Sequence, residues 1–199
     1  MHFDTDAQRP LHAWVLGTNT YAADDVAVQW ARSVPPDFHA RFSATARRYR
    51  YVIFNRRSPP ALARGQVTWV REALDADRMD EASAVLLGEH DFSGYRASGC
   101  QAKSPVRTVT DCTVTRRGDY VVLDIEANGF LQHMVRNIVG VLLAIGTDQR
   151  DPSWAGQVLA GRCRARGGVT APPDGLYLIG VRYPAQYDLP PICLPEGLW

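Results

Sequence analysis

The sequence predicts an α+β protein: an antiparallel sheet with helices on one face. Three observations predict it. "VRTVTDCTVTRRGDYVVLDIEAN" holds two β-rich runs that meet at Arg117-Gly118-Asp119, a hairpin signature. "ATARRYRYVIFN" is a third run of aromatic and β-branched residues. Two stretches with helical apolar spacing are interleaved with these runs.

In chain order, "PLHAWVLG" reads as a short helix, and Val26, Val28, Trp30 and Val34 alternate as a strand. "VPPDF" breaks that strand, because proline supplies no ladder donor. A domain boundary is therefore placed at Pro35–Pro36, dividing residues 1–36 from 37–199. A strand follows over 44–55. Alternation puts Arg47, Tyr49, Tyr51 and Ile53 on one face and Arg48, Arg50, Val52 and Phe54 on the other. Met79, Ala82, Val85 and Leu86 mark a helix that Asp75 or Asp77 can cap and Gly88 can end. After the hairpin, in which Val121, Leu123, Ile125 and Ala127 share a face, comes a second helix. Its stripe is Leu131, Met134, Val135, Ile138, Val139 and Leu142. A short helix starts at Asp151 with Pro152 in its first turn, "GRCRARGG" forms a flexible basic loop, and "GLYLIGVRYP" is the last strand. The tail from Pro184 is proline-rich and expected to be extended. The order β-α-β-β-α-(α)-β is the split βαβ, ferredoxin-like plan. Residues 1–36 read as the C-terminal half of a second, partial ferredoxin-like domain.

The chain has 199 residues, 46% hydrophobic, enough for one domain or slightly more. Its net charge of +1 is uninformative, but its charge distribution is not. Arg41, Arg47, Arg48, Arg50, Arg56, Arg57, Arg64 and Arg71 fall between Phe38 and Arg71 without one acidic residue. Such a block suggests a surface for polyanions. Of the basic side chains only Lys103 is a lysine, which can reflect genome composition rather than function. Cys100, Cys112, Cys163 and Cys193 form no C-x-x-C pair, so free thiols in a reducing cytosol are expected. "MHFDTDAQRP" lacks the apolar core of a signal peptide, and no run of about eighteen apolar residues would span a membrane.

Two candidate chemistries emerge. The open face of a ferredoxin-like sheet can stack RNA bases on aromatics and pair phosphates with arginines, which suits Tyr49 and Arg47. The alternative is a core tyrosine beside a solvated, aggregation-resistant sheet edge. Arg136 lies at the margin of an apolar helical stripe, where it either orients a carboxylate or extends to solvent. His90, Cys100 and Cys112 have no usual zinc spacing, and no metal is expected. His133 reads as structural. Walker A, G-x-S-x-G and Rossmann fingerprints are absent.

"FHARFSATARRYRYVIFN", "GEHDFSGYRASGCQAKSPVRTV", "NGFLQHMVRNIVG" and "DGLYLIGVRYP" resemble, in order and spacing, the bacterial tRNA pseudouridine synthase A family. The resemblance implies a cytoplasmic, cofactor-free homodimer that isomerises uridine in the anticodon stem-loop of tRNA, each subunit made of two ferredoxin-like domains. It also implies roles. Tyr49 stacks on the target uracil and assists proton removal from C5. Arg136 pairs with the catalytic aspartate, and Leu176 packs on the base. Phe38, His39, Arg41 and Phe42, the loop of Gly99, Cys100, Gln101 and Lys103, and the basic Arg9 and Arg57 contact tRNA.

The family's nucleophile sits in a G-R-T-D-A-G-V-H run that this chain lacks. Thr5-Asp6-Ala7 echoes it, but Asp4 precedes and Gln8 follows. The family places that run ahead of an apolar stretch ending His-Phe, which "MHF" already matches. The expectation is therefore a C-terminal portion whose aspartate belongs upstream, inactive alone. The alternatives are a non-catalytic RNA-binding module of the same fold and an assembly domain with no RNA role.

Overall fold

The computed structural model describes residues 1–191. The chain divides into two compact units, residues 1–44 with 183–191, and residues 45–182.

The larger unit is built on six strands: β1 (Ala46–Asn55), β2 (Thr68–Val70), β3 (Gly88–Asp91), β4 (Val106–Arg117), β5 (Tyr120–Ala127) and β6 (Leu176–Arg182). β5 lies antiparallel between β1 and β4, and β6 runs antiparallel along the first half of β1. The four strands β6-β1-β5-β4 thus have the antiparallel order of the expected split βαβ fold. Two strands not predicted from the sequence extend the sheet. β2 runs parallel to the end of β1, and β3 pairs with the outer edge of β4. Both are short and lack apolar alternation, so only a ready neighbour makes them strands.

α2 (Ala76–Ser83), α3 (Met134–Gly146) and α4 (Trp154–Gly161) accompany the sheet. Asp75 caps α2, its side chain accepting from the Arg78 N–H. The helix ends earlier than its apolar spacing suggests. A 3₁₀ turn spans Ala84–Leu86, and Gly88, at φ +97°, opens β3. The main core joins Tyr51 and Ile53 of β1, Val121, Leu123, Ile125 and Ala127 of β5, and Met134, Val135, Ile138, Val139 and Leu142 of α3. The predicted stripe of α3 and the inward face of β5 are therefore the core. α4 begins at Trp154 rather than Asp151, because the Asp151 carboxylate accepts from the Ser153 N–H and holds a turn ahead of it.

In the smaller unit the predicted helix forms as α1 (Leu11–Tyr21). The strand expected over Val26–Val34 does not form. Alternation makes a strand only where another strand takes its backbone groups. Here the Asn19 side chain donates to the Val28 carbonyl at 2.9 Å and accepts its N–H at 2.7 Å. Phe38 packs its ring against Tyr183 and Tyr187. The tail is not wholly extended, since Ala185–Tyr187 is a 3₁₀ turn. Cys193 and the end of the tail lie outside the described residues.

Candidate active site

The two faces of β1 do different things. Tyr49, Tyr51 and Ile53 point to the face that the helices cover. Tyr49 stands at the margin of that core, half-buried, its ring edge-on to Phe130 at 5.0 Å. Among the described residues its hydroxyl has no hydrogen-bond partner. The open-face expectation for Tyr49 is thus corrected: the tyrosine belongs to the helix side, where an aromatic can be half core and half wall.

β6 lies alongside. In the register Tyr51 faces Leu176 and Tyr49 faces Leu178, and the register shifts only beyond Tyr49, between it and Arg48. Leu176 packs against the main core, while Leu178 is 54% exposed, a large apolar side chain left at the surface. Sequence reading missed Leu178 and Phe130. Their signals were available, since Leu178 keeps the phase of Leu176 and Phe130 opens the motif that leads into α3.

α3 brings Arg136 to the same side of the sheet. Its Nε donates to the Ala171 carbonyl at 2.7 Å, and the Ala171 N–H donates back to the Arg136 carbonyl at 3.1 Å. Among the described residues no carboxylate pairs with its guanidinium. Its charge reaches the Tyr51 phenol, whose pKa burial pushes up to about 12 against the opposing pull of Thr68 and Arg136. The Tyr51 hydroxyl lies 2.5 Å from Thr68 Oγ1 and donates to the Pro172 carbonyl at 2.8 Å.

The loop of Gly99–Lys103 packs Cys100 and Ala102 against the main core. Arg96 Nη2 donates to the carbonyls of Cys100 and Ala102, at 2.6 and 2.9 Å. The Gln132 N–H points at Cys100 Sγ, 3.4 Å away. That bond and the Ala102 N–H hold the Cys100 thiol below its ordinary range. Gln132 follows Phe130 by two residues, so one short segment touches both the Tyr49 ring and this loop. Gly99, Gln101 and Lys103 are exposed, as is Arg57 just beyond β1. In the smaller unit Arg9 is exposed and lies over the Trp14 ring, Arg41 over Phe42, and His39 Nδ1 accepts the Arg41 and Phe42 N–H groups.

The other face of β1 narrows one expectation. The arginine block has no acid nearby in sequence, but the sheet supplies acids from β4 and β5. Register sets Arg48 opposite Glu126 and Arg50 opposite Asp124. Arg50 binds Asp124 through two bonds of 2.8 Å, which raise the arginine pKa further. Arg48 pairs with Asp111 at 2.7 Å and Glu126 at 3.7 Å, and Arg182 meets Glu126 at 3.0 Å. Arg48 and Arg50 are thus held in ion pairs on the sheet, while Arg41, Arg56, Arg57, Arg64 and Arg71 of the same block stay exposed. Arg47 donates to the Asn128 carbonyl, and Arg56 lies over Phe54.

An α+β protein of ferredoxin-like plan, with a half-open aromatic, an aliphatic strand edge and a buttressed guanidinium on one side of its sheet, has the parts to hold a planar ring beside an anion. Comparison with known proteins agrees in kind. The family model for tRNA pseudouridine synthase matches residues 82–184. The tRNA pseudouridine synthase A of Nitrosococcus oceani is 56% identical over 199 residues, all of this chain and 77% of the relative. That of Methylococcus capsulatus is 54% identical over 188 residues, 94% of this chain and 69% of the relative. That of Pseudomonas aeruginosa is 54% identical over 190 residues, 96% and 67%. The chain belongs to the tRNA pseudouridine synthase family, isomerases that act on uridine in tRNA. Among the described residues no helix is long and apolar enough to cross a membrane.

Proposed function

We propose that this chain builds the base-holding wall and the anion-orienting arginine of a tRNA pseudouridine synthase. The observation that carries the reading is the common placement of Tyr49, Leu176 and Arg136 on the helix side of the β1–β6 edge. A uridine must leave its stack before its glycosidic bond can be reached. Tyr49 offers one face to the freed ring, and Leu176 an aliphatic surface. The C1′–N1 bond breaks, the uracil turns, C5 bonds to C1′, the C5 proton passes to solvent with Tyr49 assisting, and N1 takes up a proton from solvent, so the product is an isomer of the substrate. Arg136 keeps a carboxylate ionised beside the reacting sugar and base, as an adjacent cation does. The 199 residues contain no G-R-T-D-A-G-V-H run. This chain's own part is therefore binding, orientation and proton transfer.

The loop of Gly99, Cys100, Gln101 and Lys103, the segment of Phe38, His39, Arg41 and Phe42, and Arg9 and Arg57 contact tRNA phosphate and sugar, which sets register on the RNA. The anticodon stem-loop is the target region, the protein works in the cytoplasm as a homodimer, and residues 1–36 belong to a second ferredoxin-like domain. The test is release of tritium from tRNA labelled at uridine C5, by protein purified from cells that express it from its own gene, with Tyr49→Ala and Arg136→Met compared at equal tRNA occupancy. Loss of release with tRNA binding retained supports the reading. Undiminished release by both variants refutes it.

A further inference from the structure

The segment between α4 and β6, expected to be a flexible loop, is a strap pinned at both ends. At one end it lies on α3 with almost no side chain between. A Cβ on Gly140 would sit 1.8 Å from the Val169 carbonyl oxygen, and one on Gly168 would sit 2.9 Å from the Gly140 oxygen. A 3₁₀ turn, Arg164–Arg166, orders its first part. At the other end the Thr68 hydroxyl donates to the Asp174 carbonyl at 2.5 Å, and the Val52 N–H to the Gly175 carbonyl at 2.8 Å. Gly175 has φ +95°, and a Cβ there would lie 2.4 Å from the Val52 oxygen. Leu176 begins at that pinned end.

A buried polar cluster fastens the α3 end. Asn137 is 2% exposed. Its Oδ1 accepts from Thr170 Oγ1 at 2.7 Å and from Arg164 Nη2 at 3.1 Å, while its Nδ2 donates to the Tyr95 carbonyl at 2.7 Å. Arg164 Nη2 also donates to Thr170 Oγ1 at 2.8 Å. Every group has a role it can fill: the hydroxyl gives its one proton and accepts one, and the nitrogen gives two. The reverse amide orientation would set N–H against donors. Asn137 follows Arg136 on the helix, and Thr170 precedes Ala171 on the strap. The cluster therefore fixes the residue whose carbonyl takes Arg136 Nε.

We infer that Asn137, Arg164 and Thr170 are positioning residues for Arg136. They hold the Ala171 backbone so that it takes up Nε and leaves the terminal nitrogens of the guanidinium directed at a carboxylate. The inference rests on the proposed role of Arg136. An arginine side chain samples many rotamers, and a donor oriented before the reaction spares the cost of ordering it during the reaction. A satisfied polar cluster also fixes direction in a way that apolar packing does not.

Thr170→Val keeps the shape and deletes the hydroxyl, Thr170→Ser restores it, and Arg164→Gln cuts the same cluster elsewhere. On protein purified from cells that express it from its own gene, Thr170→Val and Arg164→Gln should slow single-turnover tritium release about 10- to 100-fold. Affinity for tRNA should stay within about two-fold, as expected when an interaction matters mainly in the transition state. Thr170→Ser should behave as wild type. Nitrogen-15 NMR of the chain itself supplies a readout independent of turnover. The Arg136 Nε–H should exchange about ten-fold faster or more in Thr170→Val, since its bond to Ala171 opens more often. Unchanged exchange, or turnover, tRNA affinity and Tm all falling together, overturns the inference. Arg136→Met separates the two claims. If it abolishes release while Thr170→Val does not, the positioning role of the cluster alone fails; if it leaves release intact, the role of Arg136 fails.

Discussion

The two faces of β1 differ sharply. Toward the helices, Tyr51 and Ile53 are fully buried and Tyr49, at the end of the row, is half-buried beside Phe130. On the opposite face, Arg48 and Arg50 meet Glu126, Asp111 and Asp124, while Val52 and Phe54 close over Val67 and Ala63 in a separate small cluster. One face is apolar and ends in an aromatic with an unpartnered hydroxyl. The other pairs its arginines with acids at one end and buries a small apolar cluster at the other. On this strand, arginine density is therefore a poor guide to where RNA is met. The charges on this strand hold the sheet together, and the residue proposed to touch the base is the tyrosine between them.

Asp124→Asn should give the largest effect and break the paired face. It leaves Arg50 buried with a neutral partner, and unfolding by urea should show a loss of about 3 kcal/mol. Affinity of the folded fraction for tRNA should not change; a drop would mean that this face does meet RNA. Tyr49→Ala sharpens the other side. Removing a half-buried ring should lower stability by about 1 kcal/mol, yet reduce tritium release about 100-fold. A loss of stability like that of a core aromatic would make Tyr49 structural.

A smaller effect is expected at Arg57, exposed just past β1. Arg57→Glu should weaken tRNA about ten-fold or less and flatten the salt dependence of binding, with unchanged Tm. Smallest at neutral pH is the effect of the buried titratable groups, which is felt only in alkali. Burial pushes the Cys112 thiol up from 9.0 to about 12, and the Tyr51 phenol from 10.0 to about 12. Above pH 9 the unfolded chain releases a thiol proton that the folded chain retains, so stability falls as pH rises toward 12. The slope approaches about 1.4 kcal/mol per pH unit for each group. In Cys112→Ala the fall measured by urea titration should begin nearer pH 10, where Tyr51 and Tyr95, both also pushed up by burial, take over.

Much was legible where local chemistry and fold agree. The hairpin at Arg117-Gly118-Asp119, the α3 stripe and the alternation of β1 all follow from side-chain period, and the core uses those faces. Arg136 was readable as an arginine at the margin of an apolar stripe, but not its carbonyl partner thirty-five residues on. β2 and β3 were not legible, because each is a strand only through its neighbour. Val26–Val34 failed for the converse reason, having the period without a partner strand. The basic loop read as flexible because its arginines and glycines carry no apolar signal. Its order comes from Asn137 and Thr170, which nothing nearby in sequence announces.

By itself the sequence determined the periodicities, the turn and cap residues, and the family motifs, because these depend on neighbours within a few positions. The tertiary structure decided which face of β1 is charged and paired, which tyrosine stands at the margin of the core, and how Arg136 is braced. Those outcomes turn on strand register and on contacts between residues far apart in the chain. Only chain closure, with its antiparallel pairing of β1 and β5, brings an acid opposite each of Arg48 and Arg50.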